Sequence, residues 1–241
     1  MRIPAVTLRA GAHAARGAVA TADYQLRTAA GTADEASRPW FCNAVLLLAA
    51  ASARGPGAPP SWLLADTTSG GLLAGGLWAA MAGDTTTAST RLALLERRPA
   101  VQLRRLGQGP TLIRAYGLAT RGRWSEVTRE LGGVAAAGEL DGGDLDQVSS
   151  MALRWLMADA YAHTGKADSA AAMYERVLDP TRTPFSHLAL RGLVHSFASR
   201  RLALLYEGMG RPEAAAPHWK AFRSAFVTPD RELRALLAEA R

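Results

Sequence analysis

Four stretches of this chain repeat one pattern, and that repetition limits its possible folds more than any other feature. They read WAAMAGDTTTASTRLALLE (78–96), GLATRGRWSEVTRELGGV (117–134), DAYAHTGKADSAAAMYERVL (159–178) and LLYEGMGRPEAAAPHWKAF (204–222). Each runs from an apolar helical segment through a glycine and a short polar turn into a second, amphipathic segment. The turn glycines are Gly83, Gly122, Gly165 and Gly210. A glycine there ends the first helix in the left-handed conformation that closes a helix C-terminus. A unit of this size buries its apolar face only against a neighbour, so a series of them predicts an array of stacked helix pairs. Alanine and leucine dominate the chain and β-branched residues are sparse, which favours helix over sheet. The predicted fold class is all-α.

The repeats resemble the tetratricopeptide (TPR) family. Its pattern has Tyr nine residues before a small Ala and a large apolar residue four after it. Here these positions hold Tyr161, Ala170 and Tyr174 in the third repeat, and Tyr206, Ala215 and Trp219 in the fourth. The first repeat has Ala79, Ala88 and Leu92, and the second Leu118, Val127 and Leu131. The small residue lets the second helix approach the first, and the large one fills the gap to the next repeat. The departures are spacing and one missing aromatic. The glycines are 39, 43 and 45 residues apart, against about 34 in the family. The pattern's tryptophan is replaced by Arg154 and Ser199. The extra length falls in connectors such as Gly132 to Val148 and Asp179 to Pro184. The last stretch also resembles the final repeat and cap of TPR regions attached to bacterial serine/threonine kinases and transcriptional regulators. That resemblance implies a free-standing sensor or scaffold, or the carboxy-terminal piece of a longer signalling protein.

The expected organisation has three parts. Residues 1–66 form a degenerate helical segment continuous with the array, with helices over Val6 to Gly31 and Ser37 to Arg54, a break at Gly55 to Pro60, and a short helix at Trp62 to Leu64. Residues 67–227 form four TPR-like helix pairs. Residues 228–241 form a polar-faced capping helix, with Thr228 as N-cap and Pro229 in the first turn.

The chain carries 28 Lys plus Arg against 21 Asp plus Glu, a net charge of +7, and only Lys166 and Lys220 are lysines. A basic surface suits nucleic acid or an acidic partner, but the arginines are scattered. The densest group, Arg97, Arg98, Arg104 and Arg105, has no aromatics between them. Cys42 is the single cysteine, so neither an internal disulfide nor a cysteine zinc site is expected, in keeping with the cytoplasm. It reads as a small core residue. The uncharged run from Thr67 to Gly83 contains Gly71-x-x-x-Gly75, but its length and its glycines, serines and threonines fit a buried helix better than a membrane span.

The sequence carries none of the common catalytic signatures. The chain has no HExxH, no CxxC, no GxSxG and no kinase HRD or DFG. Gly165-Lys166 is a repeat turn, since Ala167 stands where a phosphate loop has Ser or Thr. Gly107-x-Gly109 lacks the third glycine of a dinucleotide site. His13, His163, His187, His195 and His218 have no carboxylate at metal-ligand spacing, and the pairs Glu126/Glu130 and Asp141/Asp144 read as solvated. No cofactor and no metal are expected, and the chain is not expected to be an enzyme. In TPR arrays the first helix of each pair lines a concave face that holds a peptide. By that resemblance the partner-binding residues are Leu112 and Tyr116, Trp155 and Asp159, and Arg200, Leu204 and Glu207. The expected function is a protein–protein interaction scaffold or sensor in bacterial signalling. The alternative is a transcriptional regulator module that uses the basic surface on nucleic acid.

Overall fold

A computed structural model describes residues 3–34, 38–52, 55–136, 147–179 and 188–239. Among these the chain is all-helical, with no strand. In order, α1 spans Ile3–Ala15, α2 Val19–Thr32, α3 Arg38–Ser52, α4 Ser61–Ala65, α5 Ser69–Met81, α6 Thr85–Glu96 and α7 Ala100–Arg105. Then α8 spans Gly109–Ala119, α9 Trp124–Ala136, α10 Gln147–His163, α11 Ala167–Leu178, α12 Leu188–Gly208, α13 Pro212–Ser224 and α14 Arg231–Glu239. The expected pair Asp141/Asp144, His187 and most of the two long connectors lie outside the described residues.

Each repeated stretch folds into a helix hairpin: α5/α6, α8/α9, α10/α11 and α12/α13. The four turns share one local geometry. Gly83, Gly122, Gly165 and Gly210 have φ between 70° and 81°. The amide after each glycine donates to the carbonyl five residues back, at Ala79, Leu118, Tyr161 and Tyr206, over 2.8 to 3.0 Å. This is the Schellman closure, and it satisfies carbonyls that the end of a helix would otherwise leave open. The small and large positions of the second helices are mostly core: Ala88, Val127, Leu131, Ala170, Tyr174, Ala215 and Trp219 are buried, and Leu92 is half-buried.

The same turn occurs a fifth time near the N-terminus. The stretch Val6 to Gly31, expected as one helix, breaks at Gly17 (φ 93°), and Ala18 donates to the His13 carbonyl over 2.9 Å. His13, Ala22 and Leu26 repeat the nine-then-four spacing, and Ala22 and Leu26 are fully buried. This hairpin packs through α1 on α12, beside the last of the four pairs. The C-terminal segment locks it there. Thr228 and Asp230 donate their amides to the carbonyls of Arg16 (2.8 Å) and Gly17 (2.9 Å). A Cβ at Gly17 would stand 2.7 Å from the Pro229 Cα, so the turn requires glycine for closeness as well as for φ.

The N-cap of α14 is Asp230, two residues beyond the expected Thr228. Its carboxylate accepts from the Leu233 amide at 2.9 Å and, with its other oxygen, from the Ala20 amide at 3.2 Å. Ala20 lies in the first turn of α2, a helix with no side-chain cap of its own. One aspartate therefore serves two helix N-termini. Asp230→Ala is expected to cost about 1–2 kcal/mol, with Asp230→Asn in between, because its side chain keeps one acceptor oxygen and its NH2 cannot accept the second amide, as chemical unfolding of the three proteins would show.

Two helices carry long apolar runs, and both runs are interior, as such runs must be. In α5 every residue from Gly71 to Ala80 is buried, so the uncharged run of the sequence is a core helix. Among the described residues no helix is long and apolar enough to cross a membrane. In α3, Phe41, Cys42 and Ala44 to Ala49 are buried. This helix packs against α2, α5, α10 and α12, and so lies across the inner row made by the first helices of the hairpins.

Candidate functional site

Because α3 ends at Ser52, it leaves part of the inner row uncovered. A pocket of about 300 Å³ opens there, at the lower end of the size range of small-molecule sites. Ala49 and Ala50 at the end of α3, Pro56 in the following loop and Met81 at the end of α5 form one side. Tyr116 of α8, Thr120 just after it, Trp124 at the start of α9, and Trp155 and Asp159 of α10 form the other. The lining is mostly apolar, with one carboxylate.

Three of the seven expected partner-binding residues, Tyr116, Trp155 and Asp159, meet in this pocket. The other four do not line it. Leu112 is buried one turn before Tyr116. Arg200 is half-buried, and Leu204 and Glu207 are exposed on α12. Glu207 accepts a hydrogen bond from the Trp219 indole at 2.8 Å. Trp155 and Tyr116 are themselves largely interior, 1 % and 9 % exposed.

Asp159 is held from behind. Tyr174 donates its hydroxyl to Oδ1, and Arg201 of α12 lies 3.8 Å from the same oxygen. The Tyr174 ring meets Trp155 edge-on at 5.6 Å. Burial, and then the Asp159 charge, push the hydroxyls of Tyr116 and Tyr174 well above the ordinary tyrosine range. Both stay neutral donors near neutral pH. Tyr174 has an acceptor. The Tyr116 hydroxyl and the Trp155 indole N–H are buried with no hydrogen-bond partner among the described residues.

An unpaired buried donor costs about 1–3 kcal/mol. Tyr116→Phe is therefore expected to leave stability unchanged or raise it by up to about 1 kcal/mol, whereas most core substitutions lower it. Thermal unfolding of the ligand-free protein checks this.

Trp124 was not anticipated in the site. Its ring stacks on His163 at 4.1 Å, across the gap between α9 and α10. Its position two residues after the turn Gly122 was the available signal. Nothing in the sequence marked Ala49, Pro56 or Met81, which reach the pocket from distant parts of the chain. Among the described residues no three His, Cys, Asp or Glu side chains group as a metal site would require. Cys42 is buried in α3.

The pocket thus has apolar walls and an anchored carboxylate, and two of its lining residues carry buried donors. No protein-family model, curated protein or solved structure matches this chain.

Proposed function

We propose that this protein is a non-catalytic interaction module, built from TPR-like hairpins, that takes an apolar group of a partner polypeptide into the pocket at the end of α3. One observation carries the reading: Tyr116, Trp155 and Asp159, expected on the concave face from the resemblance to TPR arrays, line one pocket beside the interior helix α3. Aromatic anchors in a desolvated pocket are where binding energy concentrates in protein interfaces. The shared turns and the buried small and large positions support the TPR-like reading, and Arg154 and Ser199, both buried, are its departures from the family pattern. The resemblance of the final repeat to TPR regions of bacterial regulators supports a role in signalling.

The surface arginines favour this reading over nucleic-acid binding. Arg114 pairs with Glu96 and Glu130 at 2.9 and 2.6 Å, Arg129 with Glu126 at 3.2 Å, and Arg211 with Asp168 at 3.3 Å. These three arginines are paired with carboxylates of the chain itself, and the remaining basic residues are scattered along the sequence.

Thr120 is exposed and lines the pocket, so Thr120→Arg would block the opening without disturbing the core. A partner captured from source-cell lysate by the wild type, and lost with folded Thr120→Arg, would support the proposal. A partner held equally by both, or none at all, would refute it.

A further inference from the structure

We propose that the pocket between α3, α8 and α10 recognises a neutral carboxamide carried on a compact apolar group. The inference rests on reading this pocket as the binding site, and it names the chemistry the site selects.

Three features of the pocket select the occupant. The first is size: a pocket of about 300 Å³ lies at the small end of ligand sites, so it suits a compact group. The second is the pair of unpaired donors. Trp155 Nε1 can only donate, and the Tyr116 hydroxyl is kept protonated by burial, so both call for an acceptor such as a carbonyl oxygen. A hydrocarbon would leave both unpaired. The third is Asp159, whose carboxylate has lone pairs beyond those used by Tyr174 and Arg201. It repels an anion and accepts an N–H. A cation gains less there, because Arg201 already faces the carboxylate. A carboxamide supplies the carbonyl oxygen for the donors and the N–H for Asp159 in one neutral, planar group. Trp155 and Asp159 are four residues apart on α10, hence on the same face of the helix. Neither donor is open to water, so contact with the amide requires the lining to shift, and Met81 is the most adaptable side chain there.

The test uses benzamide, benzoate and toluene, which share a ring and differ in the group that matters. Binding to the full chain is measured by calorimetry and by the assigned indole N–H resonance of Trp155. Benzamide is expected to shift that resonance and to bind at least about tenfold tighter than either of the others. Tyr116→Phe is expected to weaken benzamide several-fold and leave toluene unchanged, and Thr120→Arg to abolish binding of all three. Equal affinity for toluene and benzamide, tighter binding of benzoate, or no response to benzamide at its solubility limit would each overturn the proposal. These comparisons stand on the wild type alone, should a variant fail to fold. Displacement of a captured protein partner by benzamide would place the amide on that polypeptide. Benzamide binding without displacement would keep the carboxamide site, assign it to a free small amide, and remove the pocket from the protein–protein reading.

Discussion

Arg91→Ala is expected to destabilise the protein by about 3–5 kcal/mol. Arg91 lies on α6 and is only 7 % exposed. Its guanidinium donates to the carbonyls of Asp66 at 2.9 Å, Gly71 at 3.3 Å and Leu64, tying α6 to the α4–α5 connection and the start of α5. It has room there because α5 presents glycine. A Cβ at Gly75 would stand 3.1 Å from Arg91 Nη1. Burial lowers the pKa of Arg91, opposed by the charge of Asp66, but a guanidinium stays protonated. Each charge-assisted hydrogen bond of this kind contributes about 1.5–3 kcal/mol, and truncation leaves the carbonyls to find water in a narrow space. Arg91→Met separates the two causes. It keeps most of the apolar stem and loses the donors, so it should recover only the packing part. Urea unfolding measures both variants, and a loss below about 1 kcal/mol for Arg91→Ala would mean that water replaces the guanidinium freely.

Trp78→Ala is expected to cost a similar amount, about 3–5 kcal/mol. Trp78 lies on α5 and is completely buried. It does more than fill volume. Its indole donates to the Gly57 carbonyl at 3.0 Å, and the guanidinium of Arg27 sits 4.8 Å from its ring centre. Arg27, on α2, also donates to the Pro56 carbonyl at 3.0 Å. Trp78 therefore joins α5, the loop after α3 and the N-terminal hairpin. Because Pro56 lines the pocket, this substitution should loosen the site as well as the core. Trp78→Phe keeps the ring contact with Arg27 and loses the indole donor, so about half of the stability loss should remain. Chemical unfolding, with protection of the 55–60 backbone followed by hydrogen exchange, tests both parts. An undisturbed loop in Trp78→Ala would remove Trp78 from its positioning role.

The hairpin turns were legible because they are local. A glycine, the amide after it and a carbonyl five residues back suffice to build each one. The fifth turn, at Gly17, carries the same His13, Ala22 and Leu26 spacing, but it lacks the run of polar residues that made the other four conspicuous. The pocket was legible in part. Tyr116, Trp155 and Asp159 lie on first helices of the hairpins and were expected there because the resemblance to TPR arrays places partner contacts on those helices. Leu112 shares the face but is sealed in the core, and Arg200, Leu204 and Glu207 lie on α12 away from the pocket. Arg91 could not be recognised as interior, because its burial depends on the glycines of another helix.

From sequence alone follow the helices, most of their turns, and which of them must be interior. These depend on short-range hydrogen bonding and on the distribution of apolar residues around each helix. The tertiary structure decided the order of the pieces in space: the α1/α2 hairpin lies beside α12, and α3 runs across the inner row to leave the pocket at its end. Apolar burial is non-directional, so any hairpin with a complementary face could have taken either position. The choice rests on a few long-range contacts, such as Asp230 with Ala20, 210 residues apart, and Trp78 with Gly57. No local pattern in the chain encodes those pairings.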